Sequence, residues 1–284
     1  MLIIFNASGV IAANRIRSDN AHLVWLLVTA GSSFNSGYNT MRIQLAVDYV
    51  SQYHFSPVYH LDSQLLALEM SGRFQNESGG FSVPQEILLG VLNRRQKQTL
   101  LTEQLAILKE KSAWFIHHRV AVVLKIDHTL TEFLIEDTLL GREFRALPFL
   151  QLEINENFPD ISSGRDNPLL MKLSQSFHLW LDDFGSGKMN MKPFYDGVIS
   201  SVKMDTAFTN KLLTRPVCVS IINPMLLAMR KQCPSLKVVA KGVDNVAGFE
   251  KALELKVHAV QGQLWPSVSP EALDNVVMPV ACYG

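Results

Sequence analysis

Residues 179–187 read Leu-Trp-Leu-Asp182-Asp183-Phe-Gly-Ser-Gly187. Three apolar residues run straight into two carboxylates and then into glycines. That is the pattern of a buried strand whose carboxyl end opens into a turn. Paired carboxylates placed there suit divalent-metal binding near a phosphate, and the alternative is a solvated acidic turn. The following Gly-Ser-Gly-Lys188 lacks the spacing and the Ser/Thr of a phosphate-binding P-loop.

Outward from this stretch the chain alternates apolar runs with helical patterns. Strands are expected at 55–61, 65–74, 121–126, 150–154, 179–182, 198–204, 237–241 and 259–262. Helical windows fall at 83–111, 129–140, 168–176, 216–233 and 246–255. Eight strands with interleaved helices favour a β/α barrel, fold class α/β, over an open sheet. Only Asp62-Ser63-Gln64 joins the first two strands, too short for a parallel crossover, so the barrel is expected to begin with an antiparallel strand.

Hydrophobic residues make up 48% of the 284 and charged residues 18%, enough for a large core and against global disorder. Lys+Arg and Asp+Glu are both 26, which argues against broad sequence-independent nucleic-acid binding. Cys218, Cys233 and Cys282 follow no metal or disulfide spacing, so a reducing cytoplasm is the simplest setting. The apolar stretch 23–30 is far short of a membrane span, and Arg15 follows rather than precedes the first apolar run, unlike a signal peptide. Residues 1–40 end in a Gly/Ser/Asn-rich stretch before Met41. They are expected to be an appendage or linker to a barrel domain at 41–284, with Met41 an alternative start; a short packed extension is the rival reading.

Charged and polar residues close the other expected strands in order. They are Glu69 and Arg73 on the second, Glu153 on the fourth, Lys203 and Asp205 on the sixth, and Gln261-Gly262 on the eighth. Together with Asp182-Asp183-Phe-Gly, this series strongly resembles the EAL domains, the cyclic-di-GMP phosphodiesterases, over about residues 50–278. The resemblance implies an EAL-type (β/α)8 barrel and two-metal hydrolysis of a phosphodiester. Glu69, Glu153, Asp182 and Asp183 then match metal ligands, and Lys203 matches the lysine beside the attacking water. Arg73 matches an arginine that grips the nucleotide phosphate, and Gln261 matches a site glutamine.

Two positions depart from that pattern. The family's strand-three asparagine is Lys125 here, and the first glutamate of its E-G-V-E segment is Lys241. One neutral and one negative ligand become positive, so the site gains three charges. Unit charges ~4 Å apart interact by ~4 kcal/mol at an effective dielectric near 20, whereas ~1.4 kcal/mol already costs tenfold in affinity. The expectation is therefore no catalytic residues, no bound metal and no cofactor. The two lysines would pair with Glu69, Glu153 and Asp182; the alternative is that they swing out to solvent.

Leu-Glu153-Ile-Asn-Glu-Asn-Phe-Pro159 and Gln261-Gly-Gln-Leu-Trp-Pro266 are similar to the corresponding stretches of the YdiV-type anti-FlhDC proteins, degenerate EAL-like regulators. That resemblance implies a cytoplasmic, non-catalytic protein that binds FlhD and blocks DNA binding by the flagellar master regulator FlhDC. It implies lower flagellar gene expression and motility, without membrane or direct nucleic-acid contact. The alternatives are a phosphodiesterase with atypical ligands and a cyclic-di-GMP receptor that binds through Arg73 without cleaving. Of the remaining features, His117-His118 is read as a helix-end pair, Arg94-Arg95-Gln-Lys97 as a solvated helix start, and Trp180 as packing. Trp265 is also read as core or rim packing, with Trp265-Pro266, just past the mouth, the better candidate for a protein contact.

Overall fold

The computed structural model describes residues 5–6, 9–10, 29–30, 42–44, 48–76, 82–136, 138–185 and 190–276. Most of the expected appendage 1–40, the linker, Met41, Lys188 and Cys282 lie outside them. The chain divides into a smaller unit, residues 1–52 with 72–103, and a larger one, 53–71 with 104–284.

The larger unit contains the barrel. Its strands are β1 (Asp48–His60, from Tyr53 onward), β2 (Leu65–Asn76, as far as Ser71), β3 (Ala121–Lys125), β4 (Leu150–Asn155), β5 (Leu179–Phe184), β6 (Ser201–Met204), β7 (Lys237–Lys241) and β8 (Ala259–Gln261). Neighbours pair in the order β1-β8-β7-β6-β5-β4-β3-β2, and β2 pairs back to β1, so the eight close on themselves. Adjacent strands from β2 through β8 are parallel, whereas β1 runs antiparallel to β8, with Ala259 opposite His60. The closed barrel and its antiparallel first strand thus agree with the sequence reading.

Side chains alternate along a strand, so residues two apart share a face. Val58, Ala67, Val123, Trp180, Val239 and Ala259 form one buried cluster inside the barrel. Two residues beyond the last five stand Glu69, Lys125, Asp182, Lys241 and Gln261. An apolar layer therefore supports a charged layer at the carboxyl ends, where barrels build their sites. Trp180 fills the apolar layer at 1% exposure, and its indole Nε1 donates to Gln151 Oε1 at 2.5 Å.

The helices are α1 (Gln85–Leu89), α2 (Arg94–Glu110), α3 (Ser112–His118), α4 (His128–Ile135), α5 (Leu139–Arg145), α6 (Pro168–Ser174), α7 (Lys192–Tyr195), α8 (Thr206–Thr214), α9 (Pro216–Gln232) and α10 (Val246–Ala252). Polar side chains set several of their starts. Asp127 Oδ1 accepts from Leu130 N to start α4, Thr138 Oγ1 from Gly141 N to start α5, and Asn245 Oδ1 from Gly248 N to start α10. Asp205 Oδ1 accepts from Phe208 N at 2.8 Å to start α8. The aspartate two residues after Lys203 is thus a helix cap.

Two sequence expectations are corrected. The window 83–111 begins with a short strand, Ser82–Pro84, which pairs with Arg73–Gln75 in the smaller unit. In the same unit Asn93 and Gln96 cap α2 reciprocally, Asn93 N to Gln96 Oε1 at 2.9 Å and Gln96 N to Asn93 Oδ1 at 3.0 Å. That geometry turns Gln96 and Lys97 inward, so only Arg94 and Arg95 of the basic run are exposed. Trp265 is buried, its ring 5.3 Å from Tyr59 and 5.5 Å from Phe249, so it packs the barrel as the packing reading has it, and of the pair Trp265-Pro266 only Pro266 is exposed.

Gly262 shows why β8 ends in Gln-Gly. A Cβ there would lie 2.1 Å from the carbonyl oxygen of Val243 and 2.4 Å from its backbone nitrogen. Backbone cannot swing aside as a side chain can. Gly262→Ala is expected to destabilise the protein by ~2–4 kcal/mol, read as a lower urea midpoint at unchanged slope; an unaltered midpoint would show that the β7–β8 ends separate freely.

Candidate functional site

The site is built from the carboxyl ends of β2 through β8. Lys203 on β6 is fully buried. Its Nζ lies 2.5 Å from Glu69 Oε2 and 2.5 Å from Glu153 Oε2. It also sits 5.6 Å from the centre of the Trp180 ring, a cation–π contact that sequence reading did not assign. The clue is period two: Trp180 precedes Asp182 on the same face. Gln261 Nε2 donates to Glu69 Oε2 at 2.8 Å, so that one oxygen receives two donors.

Lys125 and Lys241 converge on Asp182, which is nearly buried. Lys125 Nζ donates to Asp182 Oδ2 at 2.9 Å and lies 3.4 Å from Glu153 Oε1. Lys241 Nζ donates to Asp182 Oδ1 at 2.5 Å and to Asp183 Oδ1 at 2.7 Å. Each oxygen of Asp182 therefore meets one ammonium. Asp183 has a left-handed backbone (φ 59°), and its N–H donates to Asp182 Oδ1 at 2.9 Å. An aspartate tolerates that conformation better than most residues, and the turn carries its carboxylate to Lys241. Gly242, at φ 84°, turns the chain directly after Lys241.

The two lysines thus point into the barrel mouth, onto Asp182, Asp183 and Glu153. Glu69 is served instead by Lys203 and Gln261. Arg73 lies on the far part of β2 in the smaller unit, exposed, its backbone in register with Pro84. Asp205 is the cap of α8, and Asp244 accepts from Gln263 N at 2.8 Å, holding the β7 and β8 loops together.

Four carboxyl groups face three ammonium groups here. Burial would raise Glu69, but the charges of Lys203 and Lys125 outweigh it and hold it at about 2. Burial likewise opposes ionisation of Asp182, and Lys125, Lys203 and Lys241 overcome it, pulling the group well below the ordinary carboxylate range. Glu153 goes the other way. It is fully buried, and its nearness to Lys203 and Lys125 is contact without hydrogen-bond geometry, leaving both oxygens without a donor. Burial, only partly offset by Lys203, and the charges of Glu69 and Asp182 push it up to about 7. Lys203 is held charged: burial works against its ammonium, but Glu153, Glu69 and Asp182 more than compensate.

The fit of a divalent pair can be tested on these donors. Two positions that the EAL pattern fills with ligands supply ammonium groups, and these take both oxygens of Asp182 and one of Asp183. Among the described residues no group of three His, Cys, Asp or Glu side chains is spaced to hold a metal. The residues present do not fit a divalent-metal centre. Nor, among the described residues, is any helix long and apolar enough to cross a membrane.

Known proteins resemble the chain closely. A family model described as the EAL domain matches residues 47–267. The anti-FlhC(2)FlhD(4) factor YdiV of Salmonella paratyphi B is 31% identical over 229 residues, covering 81% of this chain and 96% of that protein. The protein of the same name from Salmonella typhimurium is 30% identical over the same length and shares. A crystal structure of the EAL-like domain protein YdiV superposes with a TM-score of 0.73 at 29% identity, covering 81% of this chain and 97% of that one. The phosphodiesterase PaMucR, solved with cyclic-di-GMP, matches with a TM-score of 0.61 at 19% identity, over 78% of this chain and 94% of that one; at that identity it shares the fold alone.

The raised Glu153 gives the site a pH signature. Below pH ~4.5 Glu153 is protonated in both folded and unfolded chains. Between about 4.5 and 7 only the unfolded chain ionises it, so its contribution to stability is lost as pH rises through that window. Glu69 and Asp182 act oppositely, losing their contribution as pH falls below ~4.5. His258 is held at about 4 by burial and by Arg230 and Lys237, and it loses its contribution as pH falls from 6.5. Glu153→Gln removes the one carboxyl of this cluster that titrates between about 4.5 and 7. The variant is expected to match wild type near pH 4 and to exceed it by roughly 1–3 kcal/mol at pH 8 in urea unfolding. Parallel pH profiles would show that folding leaves Glu153 at its ordinary pKa.

Proposed function

The chain belongs to the EAL domain family, and we propose that within it this protein is a non-catalytic regulator acting by protein binding, with FlhD of the flagellar complex FlhDC its partner. The observation that carries the reading is the seizure of Asp182 by two ammonium groups, Lys125 on one oxygen and Lys241 on the other. A carboxylate shared by two cations is what two-metal hydrolysis needs. Here the protein supplies both positive charges itself. They are bonded into strands β3 and β7, and an ammonium has no open coordination position on which a water could be activated. The carboxylates that match the family's ligands become parts of an internal ion-pair network.

The partner comes from the relatives. Proteins of ~30% identity spanning nearly their whole length are named for their action against FlhC(2)FlhD(4). Binding FlhD, blocking DNA contact by FlhDC and so lowering flagellar gene expression and motility is the function consistent with a barrel whose site has been neutralised. Such a role places the protein in the cytoplasm with its target.

The test is co-purification of the full chain with FlhD, with cyclic-di-GMP titrated into the same sample. FlhD is expected to be retained, and magnesium or manganese is expected to yield no linear product. Turnover at ~1 per second or faster, typical of enzymes, would overturn the reading. The double reversion Lys125→Asn with Lys241→Glu restores two ligand types beside Glu69, Glu153, Asp182 and Asp183. It is expected to gain measurable manganese affinity by calorimetry while FlhD binding persists. Lys241→Glu alone sets a third carboxylate against Asp182 and Asp183 and should cost ~1–3 kcal/mol, partly recovered by added manganese. Unchanged stability together with continued indifference to metal would show that the lysines do not stand in for cations.

A further inference from the structure

Helix α9 carries a face that the barrel does not use. Ile222, Leu226 and Met229 are its buried side. On the opposite side Val217 is 72% exposed, Ile221 69% and Met225 42%, with Pro224 and Ala228 also exposed between and beyond them. At 100° per residue these five lie within an arc of about 100°, a continuous apolar stripe three turns long. A helix of a monomeric domain ordinarily turns polar residues outward, and an uninterrupted apolar stripe marks an interaction surface.

The charge around the stripe says what would cover it. From Thr206 to Val243 the chain has six basic residues and no acidic one, in a protein whose total charge is zero. Lys241 is consumed at the barrel mouth. Lys211 and Arg215 are exposed before the start of α9, and Lys231 and Lys237 are exposed at and beyond its end. The flanking acids are turned to other work: Asp205 caps α8 and Asp244 accepts from Gln263. Glu254 on the α10 side is exposed, but its backbone meets Asn223, well round the helix from Ile221.

We propose that this stripe docks an amphipathic helix of a partner protein, its apolar face on Val217, Ile221 and Met225 and its acidic flanks on Lys211, Arg215 and Lys231. The proposal rests on the protein-binding reading above and assigns it a surface. A second copy of the chain fits poorly, because two basic rims would meet. A lipid surface fits poorly too, because α9 has no aromatic residue to anchor at a membrane interface.

Panning a phage-displayed library of helix-forming peptides against the full-length protein tests the surface without reference to FlhD. Enriched peptides are expected to carry apolar residues at i, i+4 and i+7 flanked by Asp or Glu. They should bind wild type at least tenfold tighter than Ile221→Glu or the triple variant Lys211→Glu, Arg215→Glu, Lys231→Glu, and should weaken with salt. Both variants alter exposed side chains only, and circular dichroism checks their fold. No enrichment, peptides without acidic flanks, or equal binding to Ile221→Glu would overturn the proposal. So would Ile221-dependent sedimentation with phosphatidylglycerol vesicles, or an Ile221-dependent dimer in ultracentrifugation. FlhD binding of the same proteins separates the two ideas. Failure of wild type to bind FlhD sinks the named partner and leaves the peptide result to judge the surface. FlhD binding unaffected by either variant rules out α9 as the FlhD face.

Discussion

A fully buried ammonium governs the carboxyl end of this barrel. Taking an ion the size of an ammonium out of water costs several kcal/mol even after relaxation, so Lys203 is tenable only with anionic partners at contact distance. Glu69 supplies one, Glu153 stands at the same distance and becomes one once it ionises, and the Trp180 ring adds a further favourable surface. The same constraint passes outward. A buried and a half-buried glutamate beside Asp182 are too much negative charge for one lysine, and Lys125 and Lys241 carry the balance. Even so, four carboxyls face three ammoniums, and the mismatch settles on the group with the poorest hydrogen bonding, Glu153, which holds its proton up to about pH 7.

That chain of compensation explains how acids typical of a metal site persist without a fitting metal centre. A cluster of bare carboxylates in a low-dielectric barrel mouth would repel strongly. An ammonium tethered to a strand neutralises them at any metal concentration, and the tether removes the dependence of stability on a dissociable ligand. Two-metal chemistry has no place here, since a tethered ammonium offers no coordination position for a water and does not lower its pKa as a divalent cation does.

Much of this was legible in the sequence, for identifiable reasons. The central barrel strands show as apolar runs because their residues are buried on both faces, as at Val122–Leu124 and Leu179–Leu181, and the Asp62-Ser63-Gln64 connection is too short for anything but a reversal. The charged residues at strand ends carry the site because period two places them above an apolar layer. What escaped were features set by tertiary context. Helix α8 hides behind Asp205, whose side chain looks like part of the site until its hydrogen bond to Phe208 is seen. The window 129–140 breaks into two helices because Thr138 caps a new one. Trp265 was legible as packing, but its neighbours were not: it meets Tyr59 of β1 and Phe249 of α10, far apart in the sequence.

The division of labour between inside and outside follows from the same physics. Inside, Lys125, Lys203 and Lys241 are each committed to carboxylates of the same chain, so these cations have little electrostatic energy left to offer a ligand. Outside, α9 combines uncommitted apolar area with basic ends that no acid of the segment answers. Binding energy is available where contacts remain to be made, and specificity where charges remain to be matched. A domain whose interior satisfies itself while one outer helix does neither is organised for recognition at that helix.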